Sequence, residues 1–281
     1  MADTITWIAS YPRSGNTWVR FLVANCLVDH EFDWSRAMNS FAFELYYYVR
    51  QMHREGWTAQ DVVDTMRRVV KNQPTGERIG DRLFMKTHNA WGGEHPLAEL
   101  GGPAVLIVRD PRDVLLSGLN YARLTRGYDG DDARYARQFI EHGGDPAWIR
   151  AGYGTWHEHY RSWTAQRDFP VHVVRYEDLK EDPVPTLLGL CEFLGFVVTE
   201  ADARRAVDRT DIATMRGIEH KARSEGTFAG LKEGYNFFNT GRSGQSLDAI
   251  EAGLDDRFER AFAQPLADVG YARGWSQPAG R

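Results

Sequence analysis

Three short segments of the chain concentrate side chains that bind anions or move protons. The first is Ser10-Tyr11-Pro12-Arg13-Ser14-Gly15-Asn16-Thr17-Trp18, which follows an apolar run and precedes an amphipathic one. A strand, a tight loop and a helix start bring several backbone N–H groups and the positive end of the helix dipole to one point. Ser14, Asn16 and Thr17 add side-chain donors, Gly15 admits close backbone approach, and Arg13 supplies full positive charge. Such a loop cradles a phosphate. It is not a Walker A loop, because Ser10 stands where the first glycine belongs and Asn16 where the lysine belongs. The bland alternative is a βα turn with a serine or threonine cap.

The second segment is Arg109-Asp110-Pro111-Arg112-Asp113-Val114-Leu115-Leu116-Ser117, directly after the apolar run at 104–108. Pro111 suits the first turn of a helix, so Ser117 lies about two turns along at ~3.6 residues per turn. Arg109 and Ser117 can then converge on one phosphate. A solvated R-D-P-R-D salt-bridge cluster is the competing reading. The third segment, Met85-Lys86-Thr87-His88, ends a short apolar run at 83–86. A lone histidine is more often structural, but the C-terminal ends of strands in an α/β sheet are where ligands bind.

Taken together these segments resemble the sulfotransferases of the cytosolic type, which use 3'-phosphoadenosine-5'-phosphosulfate (PAPS) as donor. Y-P-R-S-G-N-T-W resembles the family's 5'-phosphosulfate loop Y-P-K-S-G-T-T-W, with Arg13 in the place of its lysine. The resemblance implies that Arg13, Ser14, Gly15, Asn16 and Thr17 wrap the 5'-phosphate and sulfate while Trp18 borders the adenine. It likewise implies that Arg109 and Ser117 take the 3'-phosphate and that Lys86-Thr87-His88 carries the catalytic histidine. An imidazole pKa near ~6.5 leaves neutral His88 able to accept a hydroxyl proton at cellular pH. Lys86 and Arg13 would meet the charge that grows on the bridging oxygen as the S–O bond breaks. A guanidinium is a rigid fork where an ammonium is a mobile point charge, so the geometry at Arg13 differs from the family's.

Softer matches follow. Arg175-Tyr176-Glu177-Asp178-Leu179 resembles the family's R-Y-E-D-L, which gives Tyr176 a nucleotide contact. Thr210 and Met215 match the family's T-S-F-x-x-M beside the adenine, with Ile212 replacing the phenylalanine. Gly241-Arg242-Ser243-Gly244 resembles the core of R-K-G-x-x-G-D-W-K, but Asn239 and Thr240 replace R-K, and Gln245 and Ser246 replace D-W. Gly241 and Arg242 are carried over as nucleotide contacts, Arg242 reaching the 3'-phosphate from a shifted position, with a plain loop cation as the alternative reading of Arg242.

The elements that must position these residues are short apolar runs at 4–9, 104–108 and 171–174, with the weaker one at 83–86. Long helical patterns separate them, at 17–28, 41–54, 58–72, 111–126, 146–167, 184–194, 200–209 and 247–262. Thr58 and Asp61 form a cap signature, and Gly195 closes the helix before it. Parallel neighbours need crossover connections, so the expected fold is a three-layer α/β domain around a central parallel sheet. Residues 217–244 are rich in glycine and charge with poor periodicity, which reads as a mobile closing loop. One domain over 1–281 is expected, since no linker or repeat divides the chain.

The acceptor side has no readable code. Phe41, Phe43, Tyr46, Tyr47, Tyr48, Trp91, Tyr121, Tyr128 and Tyr153 are candidates for an apolar wall, although core or surface positions suit each of them singly. The expected acceptor is a small hydroxylated molecule, with aromatic and glycosidic compounds as candidates, and the product nucleotide is 3',5'-diphosphoadenosine (PAP). His142, His157 and His159 lack partners at ligand spacing, so no metal is expected. A formal charge of −5 gives no global pull toward nucleic acid or anionic membrane. Cys26 and Cys191 each sit in an apolar run as buried thiols, and neither a secretory leader nor a membrane span is apparent, which fits the cytoplasm. A P-loop-like kinase and a noncatalytic nucleotide-binding protein of the same fold are the alternatives. The missing Walker lysine argues against the kinase, and retention of Lys86 and His88 with both anion segments argues against the noncatalytic protein.

Overall fold

Four strands make one parallel sheet in a computed structural model that describes residues 5–28, 34, 55–58, 60–61, 64–65, 83–92, 101–227 and 231–271. The strands are β1 (Ile5–Ser10), β2 (Leu83–Thr87), β3 (Gly101–Val108) and β4 (Val171–Arg175), in the order β2-β1-β3-β4. Every residue of β1 is buried. A strand covered on both faces needs a nearly continuous apolar run, and Ile5, Trp7, Ile8 and Ala9 supply it with Thr6 and Ser10 as buried small hydroxyls.

Alternate residues of the central strands feed two cores. Trp7, Ala9, Leu106 and Val108 pack on one face against α2 (Pro111–Arg126), α3 (Asp132–His142), α4 (Trp156–Ala165) and α9 (Leu254–Val269). Ile8, Val105, Ile107 and Val174 pack on the other against α1 (Asn16–Leu27), α6 (Pro183–Phe193), α7 (Glu200–Asp208) and the Met215 side chain of α8 (Ile212–Ser224). The period-two alternation of β3 thus builds the three layers. A short helix, α5 (Tyr176–Glu181), follows β4 directly. Cys26 and Cys191 are free, buried thiols of the second core. Among the described residues no helix is long and apolar enough to cross a membrane.

Three expectations are corrected. The helix expected over 146–167 is broken: a single turn at Pro146–Trp148 runs into a π-helical segment, Ile149–Tyr153, before α4. Gly152 and Gly154 take left-handed φ of 91° and 73°, and Thr155 with Glu158 forms a capping box that starts a new helix. The loop expected over 217–244 is helical as far as Ser224, because Asp211 caps α8 and Met215, Glu219 and Ala222 bury one face of it. The last helix begins at Leu254 rather than 247, since Asp255 is drawn back to accept from the Leu247 N–H at 2.9 Å, and it continues through Pro265 to Val269. The Thr58–Asp61 cap is present, with Asp61 N–H donating to Thr58 Oγ1 at 3.1 Å and Thr58 N–H to Asp61 Oδ2 at 2.8 Å. The helix expected at 41–54, most of the one at 58–72 and the aromatic residues Phe41 to Tyr48 lie outside the described residues.

Candidate active site

The C-terminal ends of β1, β2 and β3 open on one cavity of about 1030 Å³, lined by Arg13, Gly15, Asn16, Thr17, Trp18, Lys86, His88, Arg109, Ser117, Tyr176, Thr210, Gly241 and Arg242. Thirteen of the fourteen residues singled out from sequence therefore meet at one place; Ser14 lies within the same loop, fully buried, with its Oγ unpartnered. Of the six chain segments that supply these residues, four follow strands and converge because parallel strands all present the same end.

The loop after β1 turns through left-handed backbone at Arg13, φ 68°, and Gly15, φ 99°. A Cβ on Gly15 would stand 2.6 Å from the Tyr176 ring. Glycine is required there by both backbone angle and contact. The Asn16 side chain turns away from the cavity mouth and donates to the Ile8 carbonyl at 3.0 Å, fastening the helix start to β1. Trp18 donates its indole N–H to the Thr210 carbonyl at 3.0 Å and meets Tyr176 edge to face at 5.4 Å. The Thr210 hydroxyl donates to the Ala206 carbonyl at 2.8 Å, so Thr210 serves the site through its backbone oxygen.

Arg13 bridges the two anion segments. Its Nε donates to Ser117 Oγ at 3.0 Å and its Nη2 to the Phe237 carbonyl at 2.7 Å, between the rings of Tyr121 and Phe237. Burial pushes its pKa down to about 10, which still leaves it charged at neutral pH. Arg109 is buried over the Tyr176 ring, donating to the carbonyls of Arg13 at 3.2 Å and Arg242 at 2.8 Å. Its Nε has no partner, a buried donor left open beside the cavity. Arg242 thus meets Arg109 through its backbone oxygen, while its own side chain is exposed. The R-D-P-R-D cluster divides its labour: Arg112 pairs with Asp110 at 2.7 Å and Glu259 at 2.8 Å, which leaves Arg109 to the cavity.

His88 stands at the end of β2 with Nδ1 2.7 Å from the Ser10 carbonyl. A carbonyl only accepts, so Nδ1 carries the proton and Nε2 is the basic nitrogen. Burial, first, and the charges of Lys86, Arg20 and Arg13 hold its pKa well below the ordinary histidine value, outweighing the Ser10 bond. Neutral imidazole is the resting state at pH 7. The π-helical break puts the Tyr153 ring 5.9 Å from His88.

Of the aromatic candidates, Tyr121 and Tyr153 line the cavity. Trp91 is core, packed on Trp163 and Phe169 at 4.9 Å each, and Tyr128 lies outside the lining, donating to the Asp131 carbonyl. Trp34, Trp148, Phe237 and Phe238 line the cavity without having been singled out. His142 and His157 are engaged apart, with the Gln138 carbonyl and Asp268.

Four charged residues escaped the sequence reading. Asp113 accepts from the backbone N–H of Gly244 at 3.0 Å, and Lys180 donates to the Gly241 carbonyl at 2.7 Å. Glu219 accepts from the N–H groups of Phe237 at 2.7 Å and Phe238 at 2.9 Å. Arg20 lines the cavity from α1. The first three pin the segment at 237–245 over the cavity mouth. Asp113 and Glu219 are acids on buried helical faces, Glu219 four residues before its partner Arg223, whereas Lys180 is one of several charges on the exposed side of α5.

Residues 3–270 match the sulfotransferase domain family. Sulfotransferase 2A6 of Rattus norvegicus is 22% identical over 266 residues, covering 92% of this chain and 84% of the relative. Luciferin sulfotransferase of Photinus pyralis is 25% identical over 228 residues, 76% of this chain and 57% of the relative. The fold is shared with the mouse sulfotransferase SULT7A1 complexed with PAP, at TM-score 0.64 and 20% identity over 96% of this chain and 86% of that one. It is also shared with retinol dehydratase in complex with androsterone and inactive cofactor PAP, at TM-score 0.62 and 17% identity over 100% and 83% of the two chains. With Arg13, Arg109 and His88 brought to one cavity, and a family match over nearly its whole length, this chain belongs to the sulfotransferase domain family.

Proposed function

We propose that this sulfotransferase transfers the sulfuryl group of PAPS to a hydroxyl of a small-molecule acceptor by in-line displacement. The observation that carries the reading is the arrangement at His88: a proton fixed on Nδ1 by the Ser10 carbonyl, with the Arg13 loop and Lys86 beside it. The acceptor oxygen bonds to sulfur as its proton passes to His88 Nε2. The S–O bond to the bridging oxygen breaks, and its electron pair stays on the 5'-phosphate of PAP. Arg13 and Lys86 meet that charge, and Ser14, Thr17 and the first N–H groups of α1 hold the 5'-phosphate. Arg109 and Ser117 select the 3'-phosphate, supported by the unpartnered Arg109 Nε. Trp18 and Tyr176 flank the adenine.

Phe237, Tyr121, Tyr153 and Trp34 give the acceptor side apolar, aromatic walls, which suits a hydroxylated apolar molecule. The segment 237–245 closes over the nucleotide and limits hydrolysis of the donor. Labelled sulfate transfer from PAPS to a panel of phenols, sugars and hydroxylated metabolites tests this reading, with His88→Ala alongside. Undiminished transfer by His88→Ala removes His88 as base, and an absence of PAPS binding removes the donor.

A further inference from the structure

Arg20 stands on α1 one turn beyond Thr17, where it is only 3% exposed. A buried guanidinium ordinarily has a carboxylate partner, because an unpaired charge is expensive to desolvate. Arg20 has none. Its Nη2 reaches Thr17 Oγ1 at a long 3.4 Å, and its Nε and Nη1 have no partner at all. Burial alone moves its pKa, down to about 10, with no acidic group contributing. Such an open cation within a well-packed core calls for an anion that arrives later.

Its position says which anion. Arg20 lines the cavity together with Thr17, Lys86 and His88, and its charge is one of those that hold the His88 pKa down. Thr17 belongs to the loop that holds the 5'-phosphosulfate in the reading above, and His88 takes the acceptor proton. The group that must lie between a 5'-phosphate and the attacking oxygen is the sulfuryl group. We propose that Arg20 is a catalytic residue that binds the nonbridging sulfuryl oxygens of PAPS and holds them as sulfur passes from the bridging oxygen to the acceptor. This rests on PAPS being the donor. The bonds made and broken are those already given; Arg20 exchanges no proton and lowers the barrier by keeping a cation beside oxygens whose charge redistributes during transfer. Burial away from water strengthens that interaction, and the N–H fork suits two oxygens at once.

The test compares calorimetric affinities for PAPS and for PAP, which lacks the sulfuryl group, in wild type, Arg20→Gln and Arg20→Lys. Arg20→Gln is expected to weaken PAPS roughly 10-fold or more, leave PAP within about twofold, and lower single-turnover transfer by on the order of 100-fold. Arg20→Lys keeps the charge and is expected to recover part of the PAPS preference, which gives a readout should the glutamine variant not fold. Equal loss of PAPS and PAP affinity overturns the proposal in favour of a 5'-phosphate or purely structural role. Unchanged PAPS affinity with a raised KM confined to carboxylate-bearing acceptors overturns it in favour of an acceptor subsite. A wild type that binds PAP but not PAPS fails the donor reading itself, which is a different result from failure at Arg20.

Discussion

Arg13 Nε donates to Ser117 Oγ at 3.0 Å, across 104 residues of sequence. That bond joins the loop after β1 to the helix after β3, so the two anion segments are one structural unit before any nucleotide arrives. The guanidinium that replaces the family's lysine is therefore already oriented, by Ser117 on one side and the Phe237 carbonyl on the other. A lysine ammonium has no fork with which to hold both.

Arg13→Lys tests that orientation. Charge is kept, so PAPS affinity is expected to fall less than tenfold, while kcat falls by about 10-fold or more as the fixed geometry is lost. Ser117→Ala removes one hydrogen-bond acceptor and is expected to cost ~1 kcal/mol of donor binding. Steady-state kinetics with calorimetry on both variants separates the two effects. Equal kcat in Arg13→Lys and wild type contradicts a role for the fork.

Gly15→Ala should be far more damaging than its single added carbon suggests. The φ of 99° is strained for alanine, and the new Cβ would lie 2.6 Å from the Tyr176 ring. Strain of about 1–3 kcal/mol is expected in thermal unfolding, together with a loss of PAP affinity, because Tyr176 must shift from its place beside Trp18 and Arg109. A variant with native Tm and native PAP affinity would show that the loop relaxes freely.

The pH dependence follows from the direction of the His88 shift. A histidine whose folded pKa is depressed stays neutral as pH falls through ~6.5 and protonates only well below it. The base form is thus fully present at neutral pH in the unliganded protein, and activity is lost only in more acidic solution. Bound PAPS brings anionic charge that offsets Lys86, Arg20 and Arg13, so its binding should raise the His88 pKa. Imidazole 15N chemical shifts with and without PAP check both statements. Titration of the free enzyme near the ordinary histidine value would contradict the first.

How far the sequence reaches depends on where each group's partner lies. The ends of β1 and β3 were legible because buried parallel strands are continuous apolar runs, and chemistry placed just after such a run lands at the sheet's C-terminal edge. The arginine and serine of 109–117 were legible for the same reason, since Pro111 and Asp110 start α2 at a known residue. Arg20 was not. In N-T-W-V-R-F-L-V a single arginine reads as the solvent face of a helix, whereas α1 is covered on nearly all sides and Arg20 is turned into the cavity. Glu219 failed differently: it is a charge on the buried face of α8, and besides the Arg223 side chain one turn on at 2.9 Å it accepts from backbone N–H groups 18 and 19 residues onward. A hydrophobic period cannot register a buried acid whose partner is backbone, so 217–224 looked like loop. The same blindness hid Asp113.

Glu219 gives the sharpest test of the closing segment. Its carboxylate accepts from Phe237 and Phe238 N–H, and the Phe237 carbonyl in turn accepts from Arg13. The acid on α8 therefore positions the peptide that orients Arg13, without touching either nucleotide segment itself. Glu219→Ala removes both acceptors, and a charge-accepting bond to backbone is worth ~1.5–3 kcal/mol. Two consequences are expected. Trypsin should cut faster at Lys232 and Arg242, which lie in the released segment, and the KM for PAPS should rise more than that for the acceptor. Glu219→Gln keeps one accepting oxygen and should fall between. If proteolysis accelerates while PAPS kinetics stay at wild-type values, the segment is held by Glu219 but does not serve donor binding, and its role as a closing element would have to be given up.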